Sequence, residues 1–314
     1  MPDAWGRPKA VRWAELPGGE AAFDTAEVIG LAGLPPERRD PTRASSYGVG
    51  ALLRAVLAAG ARRVYVGLGG SATVDGGLGC LMALGGAADP PPEPGRLALP
   101  RVRGLRWPGR EALGGVEIVA LADVDAPLCG PCGAAAVFGP QKGLRAEDVP
   151  EFDERLRLLA DHAEAAAGQR LRDLPGAGAA GGLGFMLAAL GARLRPGAPA
   201  LLDLAGFDRL AAWADVVLTG EGRVDAQTRM GKLPWAVAER ARRLGRPVLI
   251  LAGALGPGAL DCIVPGEVAV TSICPGPLEE AEALREAARL LEDACRRELA
   301  VLRLGAAARL TPPC

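Results

Sequence analysis

An α/β fold built on parallel sheet is predicted by three observations. From Ala214 onward, strand-like and helix-like segments alternate. The β-branched segment "RRVYVGLG" (62–69) runs straight into a glycine-rich loop. A second apolar run, "VEIVALADV" (116–124), reads as a buried strand ending at two aspartates. At 314 residues the chain has room for about two domains, which are expected at 1–205, with the glycine-rich loop, and 206–314.

In chain order, "AVRWAEL" and "EAAFDTAEV" alternate around Pro17-Gly18-Gly19 and predict a β-hairpin. "GALLRAVLAAGARR" places Leu52, Leu53, Val56 and Leu57 on one helical face and stops at Gly60, a C-cap residue. The strand "RRVYVGLG", the glycine loop and a helix through "GLGCLMALGG" come next. Residues 87–110, rich in Pro, Gly and Arg, predict a surface excursion. "AEDVPEFDERLRLLADHAEAAAG" predicts an amphipathic helix with its acids early, and "GAGAAGGLGFMLAALGARL" a glycine-rich helix that needs close backbone approach. Strand "DVVLTG", helix "LPWAVAERARRLG", strands "PVLILAG" and "EVAVTSI" and helix "PLEEAEALREAARLLEDACRREL" complete the chain. Three strands are few for a doubly wound sheet.

Charge excludes some partners. With 36 basic and 37 acidic residues, net charge −1 and no basic block, nothing points to nucleic acid or an anionic membrane. No apolar run approaches the roughly 18 residues of a spanning helix, and the first residues hold no signal-peptide core. A cytoplasmic protein with a small-molecule partner is expected. Seven scattered cysteines do not suggest a disulfide framework.

Three clusters carry chemistry. In "VYVGLGGSATVDGGLG" (64–79), Gly67–Ala72 fits the dinucleotide pattern G-x-G-x-x-G/A, but no acid follows a strand about 20 residues on to hold a ribose. Consecutive glycines instead present N–H groups as an anion nest, helped by a helix starting near Gly76. Asp75 inside this loop implies a bridging cation, a base, or simply a helix N-cap. In the second cluster Asp123 and Asp125 leave a strand on the same side of the pleat, suited to Mg²⁺ or to a hydroxyl proton, or only to capping a turn. Gly139-Pro140-Gln141-Lys142-Gly143 then sets a lone Lys among glycines. Cys129-Gly130-Pro131-Cys132 resembles a redox dithiol but precedes only a brief helical stretch. The third cluster, "LTGEGRVDAQTRMGKLP", gathers Thr219, Glu221, Arg223, Asp225, Gln227, Thr228 and Lys232 at a strand's carboxyl end. The single histidine, His162, lies in a charged helix, so a general base must be Asp, Glu or Lys.

Together with "RDPTRASSYGVGALL" and "GAGAAGGLGFMLAALGARLRPG", these motifs run in an order that closely resembles the bacterial type-I glycerate kinases across essentially the whole chain. The resemblance implies ATP- and Mg²⁺-dependent phosphorylation of D-glycerate, with the 2-hydroxyl favoured. It also implies a ligand cleft between a Rossmann-like parallel-sheet domain and an inserted second α/β domain with a mixed sheet. On this basis Gly69, Gly70, Ser71, Thr73, Gly139 and Lys232 are expected to bind phosphate or nucleotide. Asp123 and Asp125 are expected to bind metal, Asp75, Lys142 and Asp125 to act in catalysis, and Arg223, Glu221, Asp225 and Ser71 to hold glycerate. A homo-oligomer is compatible with this reading.

The chain departs from the family pattern at its start. The Ala-Pro-Asp-Ser-Phe-Lys-Gly-type and Ala-Asp-Gly-Gly-Glu-Gly-type motifs have no counterpart, and "DAWGRP" resembles the turn just after them. The expectation is a Rossmann-like domain lacking its first strands, with an exposed sheet edge and weakened catalysis if 314 residues are the whole protein. Val74 stands where relatives commonly carry a polar residue. The rival readings are a nucleotide-dependent oxidoreductase using Gly67–Ala72 and a non-catalytic ligand-binding remnant.

Overall fold

The computed structural model describes residues 1–93, 98–108 and 110–308. They divide into two compact units, Met1–Gly197 and Ala198–Cys314, with the last residues of the second outside the described range.

In the first unit, β1 (Ala14–Leu16) and β2 (Glu20–Asp24) form the predicted antiparallel hairpin. The second strand is shorter than its alternation suggested. The Asp24 carboxylate accepts the Ala26 N–H and starts α1 (Thr25–Ile29), because an N-cap side chain outcompetes a continuing strand. Then come α2 (Tyr47–Ala58), β3 (Arg63–Gly67) and α3 (Leu78–Ala83). Leu52, Leu53 and Val56 of α2 are buried as the helical spacing predicts. The excursion after residue 86 holds a small hairpin of β4 (Ala87–Asp89) and β5 (Gly104–Arg106); its residues 94–97 and 109 lie outside the described range. The unit closes with β6 (Glu117–Leu121), α4 (Val149–Ala167), α5 (Ala179–Ala189) and β7 (Arg193–Arg195).

The main sheet has the order β1-β2-β3-β6-β7 and is mixed, with only β1 antiparallel. Val64, Val66, Ile118 and Ala120 share one apolar cluster with Leu52, Leu53 and Val56 of α2 and with Leu183 and Leu187 of α5. A second cluster joins α3, α4 and α5 through Leu78, Leu81, Leu156, Leu159, Phe185 and Met186. Each fully buried Leu contributes roughly 1.5–3 kcal/mol. The helices are fixed to the sheet by many such contacts, and the loop at its edge inherits their rigidity.

The second unit opens within α6 (Gly197–Leu204), a few residues before the boundary expected at 205, and continues with α7 (Phe207–Trp213). It continues with β8 (Val217–Val224), α8 (Leu233–Arg243), β9 (Val248–Leu255), β10 (Val268–Ser272), α9 (Glu280–Arg285) and α10 (Ala287–Ala308). Its sheet is fully parallel in the order β10-β9-β8, leaving β8 at an edge. β9 is apolar at successive positions because both its faces are covered. Val248, Ile250 and Ala252 pack with Trp235, Ala238 and Ala241 of α8, while Leu249 and Leu251 pack with Ala294 of α10. The fold class is therefore α/β, with a mixed sheet in one unit and a parallel sheet in the other.

Candidate active site

Gly67 at the end of β3 is in register with Leu121 at the end of β6. The glycine loop and the Asp123–Asp125 segment therefore leave the same sheet edge side by side, where ligands of open α/β sheets bind. Gly69 and Gly70 are exposed. Their carbonyls accept from the Thr25 hydroxyl and the Leu31 amide, and no hydrogen bond among the described residues uses their own N–H groups. An acceptor of charge from outside is what such amides lack.

From Ser71 to Leu81 the loop and helix are buried, and here the expected roles change. Asp75 is fully buried. Its Oδ2 accepts from the Ser46 amide (2.7 Å), the Ser46 hydroxyl (2.8 Å) and the Gly79 amide (3.2 Å), and its Oδ1 from the Gly77 amide (3.1 Å). Burial raises its pKa above the ordinary carboxylate value although these donors oppose the shift. Gly77 is the N-cap residue of α3, but the Asp75 carboxylate caps the first-turn amide of Gly79, so among the three alternatives the capping one is nearest to this geometry. The expected positive helix end near Gly76 is displaced too: α3 begins at Leu78, and the amides of Gly77, Gly79 and Cys80 are taken by Asp75 and the Ser46 hydroxyl. Gly79 permits this closeness, since a Cβ there would lie 2.2 Å from Ser45 Oγ and 2.5 Å from Tyr47 N.

Lys142 is also buried, 4% exposed, and Nζ donates to Ser71 Oγ (3.0 Å) and to the Thr73 carbonyl (2.9 Å). Burial lowers its pKa to about 8, against the pull of Asp75 in the other direction. The ammonium is therefore held within the loop by Ser71 and the Thr73 carbonyl. Gly139, expected to bind phosphate, spends its N–H on the Ala135 carbonyl, and a Cβ there would meet that oxygen at 2.3 Å. The Thr73 hydroxyl donates to the Ala180 carbonyl (3.3 Å), so it too faces inward.

Within α5 the backbone of Ala180, Gly181 and Gly182 is left-handed, with φ of 51°, 70° and 92°. The Gly181 carbonyl accepts the Gly76 N–H, and a Cβ on Gly181 would lie 1.9 Å from the Thr73 carbonyl oxygen. This turn and Lys142 both bond to the loop's inner half, at Gly76, Thr73 and Ser71.

Asp123 and Asp125 are exposed beyond the end of β6. Asp123 lies against Gly197, whose added Cβ would be 2.9 Å from Oδ2, and Asp125 lines a cavity of about 520 Å³ with Gln169, Arg193 and Arg195. Among the described residues no three His, Cys, Asp or Glu side chains gather as a self-sufficient metal site. Cys129 is a free thiol whose pKa is pushed up to about 12, first by burial and then by Asp153, the opposite of a reactive thiolate. His162 lies in α4.

In the second unit β8 extends through Val224, so "LTGEGRV" is strand rather than loop. Glu221, Arg223, Asp225, Thr228 and Lys232 nonetheless converge. The buried Thr228 hydroxyl donates to Glu221 Oε1 (2.6 Å) and accepts from the Asp225 amide (3.1 Å). Lys232 Nζ lies 3.6 Å from both Glu221 and Asp225, and Arg223 Nε 3.7 Å from Asp225. The two carboxylates organise a turn and hold two cations at its surface.

Ser46 and the 180–182 turn were not singled out from sequence. The motifs "RASSYGVG" and "GAGAAGGLG" contain them, but their partners stand 29 and about 107 positions away in the chain.

An α/β protein with solvent-facing glycine amides beside two carboxylates is suited to holding a phosphate-bearing small molecule. The chain belongs to the glycerate kinase family, whose model matches residues 1–303. That family comprises phosphotransferases with an alcohol group as acceptor, and a kinase family implies a nucleotide and a small-molecule substrate. The glycerate kinase of Bacillus subtilis (strain 168) is 39% identical over 293 residues, 91% of this chain and 77% of that protein. The glycerate 2-kinase of Escherichia coli (strain K12) is 35% identical over 257 residues, 77% of this chain and 66% of that protein. A crystal structure assigned as glycerate kinase 2 from Salmonella typhimurium LT2 superposes with a TM-score of 0.74 at 33% identity, covering 97% of this chain and 81% of that one. Nothing in these comparisons favours the oxidoreductase or the remnant. Among the described residues, no helix is long and apolar enough to cross a membrane.

Proposed function

We propose that this chain transfers the γ-phosphoryl group of ATP to D-glycerate with Mg²⁺, favouring the 2-hydroxyl. The observation that carries the reading is the sheet edge from which both the glycine loop, whose Gly69 and Gly70 amides are unused among the described residues, and the Asp123–Asp125 segment depart, in a member of this family. Phosphoryl transfer rests on positioning and charge stabilisation, for which fixed amides at a strand edge are suited.

In this reading the Gly69 and Gly70 N–H groups and the Ser71 hydroxyl hold phosphate oxygens. Two exposed carboxylates fit Mg²⁺, which takes one or two from protein and the rest of its oxygens from phosphate and water. Asp123 would hold the ion, which when bound neutralises phosphate charge, and Asp125 would accept the glycerate hydroxyl proton. Arg223 is the proposed partner of the glycerate carboxylate because its planar fork suits two oxygens, with Glu221, Asp225 and Lys232 fixing the surrounding turn. Asp75, Thr73 and Gly139 become parts of the frame. The first unit is proposed as the inserted domain and the second as the C-terminal part of the Rossmann-like one.

The test is direct. With ATP, Mg²⁺ and D-glycerate, ADP should form only when glycerate is present, and the phosphorus resonance of the product should be that of the 2-phosphate. ADP formation independent of glycerate counts against the proposal, and Asp125→Asn should reduce kcat by about 10²-fold or more.

A further inference from the structure

Among the described residues, Lys142 is the one buried ammonium contacting the glycine loop, and its bond to Ser71 has a direction. A protonated lysine has three donors and no acceptor, so Ser71 Oγ must accept at 3.0 Å. A hydroxyl that accepts still owns one hydrogen to donate. No hydrogen bond among the described residues uses the Ser71 hydroxyl as a donor. Ser71 is itself buried, at the boundary between its exposed chain neighbours Gly69 and Gly70, whose amides are unspent among the described residues, and the buried stretch that follows. The second Nζ bond, to the Thr73 carbonyl at 2.9 Å, fixes the ammonium so that it cannot swing outward.

We propose that Lys142 is a positioning residue that acts through Ser71, locking that hydroxyl as a donor aimed at the anionic oxygen held by the Gly69 and Gly70 amides. This rests on the kinase reading above. The loop then offers an incoming group donors only, which selects phosphate or carboxylate oxygens over neutral hydroxyls or amides that need an acceptor. The buried charge also strengthens the donor, since a hydroxyl that accepts from an ammonium is polarised toward giving up its own hydrogen. The depressed pKa of Lys142 agrees with a group kept charged by its bonds at some cost rather than by solvent.

A double-mutant cycle on the full chain separates acting through Ser71 from acting on the substrate. Lys142→Gln, Ser71→Ala and the double variant are compared with the unaltered protein in kcat, KM for ATP and glycerate, and thermal unfolding. Each single change should lower kcat/KM by about 10–100-fold. The double variant should fall no more than about threefold below the weaker single, because the second change removes an interaction already lost. Losses that multiply mean Lys142 meets substrate independently and overturn the proposal; so does an unchanged kcat/KM in Ser71→Ala. If Lys142→Gln does not fold, Lys142→Met, which removes the donor cation while keeping an unbranched side chain, takes its place, and Ser71→Thr should restore most of what Ser71→Ala loses. Should the unaltered protein fail to phosphorylate glycerate, the kinase reading fails by itself. The cycle is then read on the dissociation constant for ADP, where the same non-multiplying losses are expected, and multiplying losses or none overturn the positioning role.

Discussion

Two buried charges flank the glycine loop, and each reduces stability in order to hold it in place. Lys142 releases its proton near pH 8 in the folded state and at 10.5 when unfolded. Below pH 8 both states carry the proton and the full burial cost applies. Between 8 and 10.5 the unfolded state binds more protons, so stability rises with pH as the cost is relieved. The difference in unfolding free energy between the unaltered protein and Lys142→Met should therefore shift by about 3 kcal/mol toward the unaltered protein across that window; urea melts at several pH values check it, and a flat difference refutes it. Asp75→Asn places an amide donor against one of the backbone donors that the carboxylate now satisfies. We expect about 1–3 kcal/mol of destabilisation, with kcat reduced through the displaced loop; an unchanged unfolding midpoint would show that Asp75 is not the anchor. Asp75's capping role was legible in the sequence as one of three alternatives. Ser46's was not, because nothing local marks a serine whose partner lies 29 residues away.

At the scale of elements, most strands and helices were legible from period and punctuation, including the parallel trio β8, β9 and β10. What escaped were pieces set by tertiary contact. β7 is three residues, Arg-Leu-Arg, paired only because β6 offers an edge. The left-handed start of α5 looks helical in sequence, since glycine takes either hand, while Ala180 at φ 51° adopts it against its own preference and only tertiary contact, such as the Thr73 carbonyl beside Gly181, reveals it. Gly181→Ala must therefore meet both a left-handed backbone and an oxygen 1.9 Å from its new Cβ, and should lose at least about 3 kcal/mol. Gly191→Ala is the matched comparison: φ is +101° with nothing within 4 Å, so only about 1–2 kcal/mol is expected. Equal losses in thermal melts would remove the steric argument.

For the molecule as a whole, the near-neutral charge balance and the α/β fold class were legible because they depend on composition and on alternation summed over long windows. Chemistry follows from composition too. With His162 the single histidine, on α4, imidazole takes no part in the proposed reaction. Diethylpyrocarbonate treatment and His162→Gln should leave kcat/KM within about twofold; a large loss would require a different base. Several ion pairs among the described residues are exposed at both partners, such as Arg289 with Glu286 at 61% and 46%, and such pairs give about 0–1 kcal/mol each. Raising the salt concentration should move the unfolding temperature little.

The frame around the glycine loop also bears on how the protein reaches its native state. Ser71 meets Lys142 across 71 positions and Thr73 meets Ala180 across 107, so its braces are among the longest-range contacts of the first unit. Pairings of that kind form late, after the chain has lost most of its freedom. Ligand capture at Gly69 and Gly70 should therefore be acquired at the end of refolding rather than alongside secondary structure, making nucleotide binding a reporter of completed assembly.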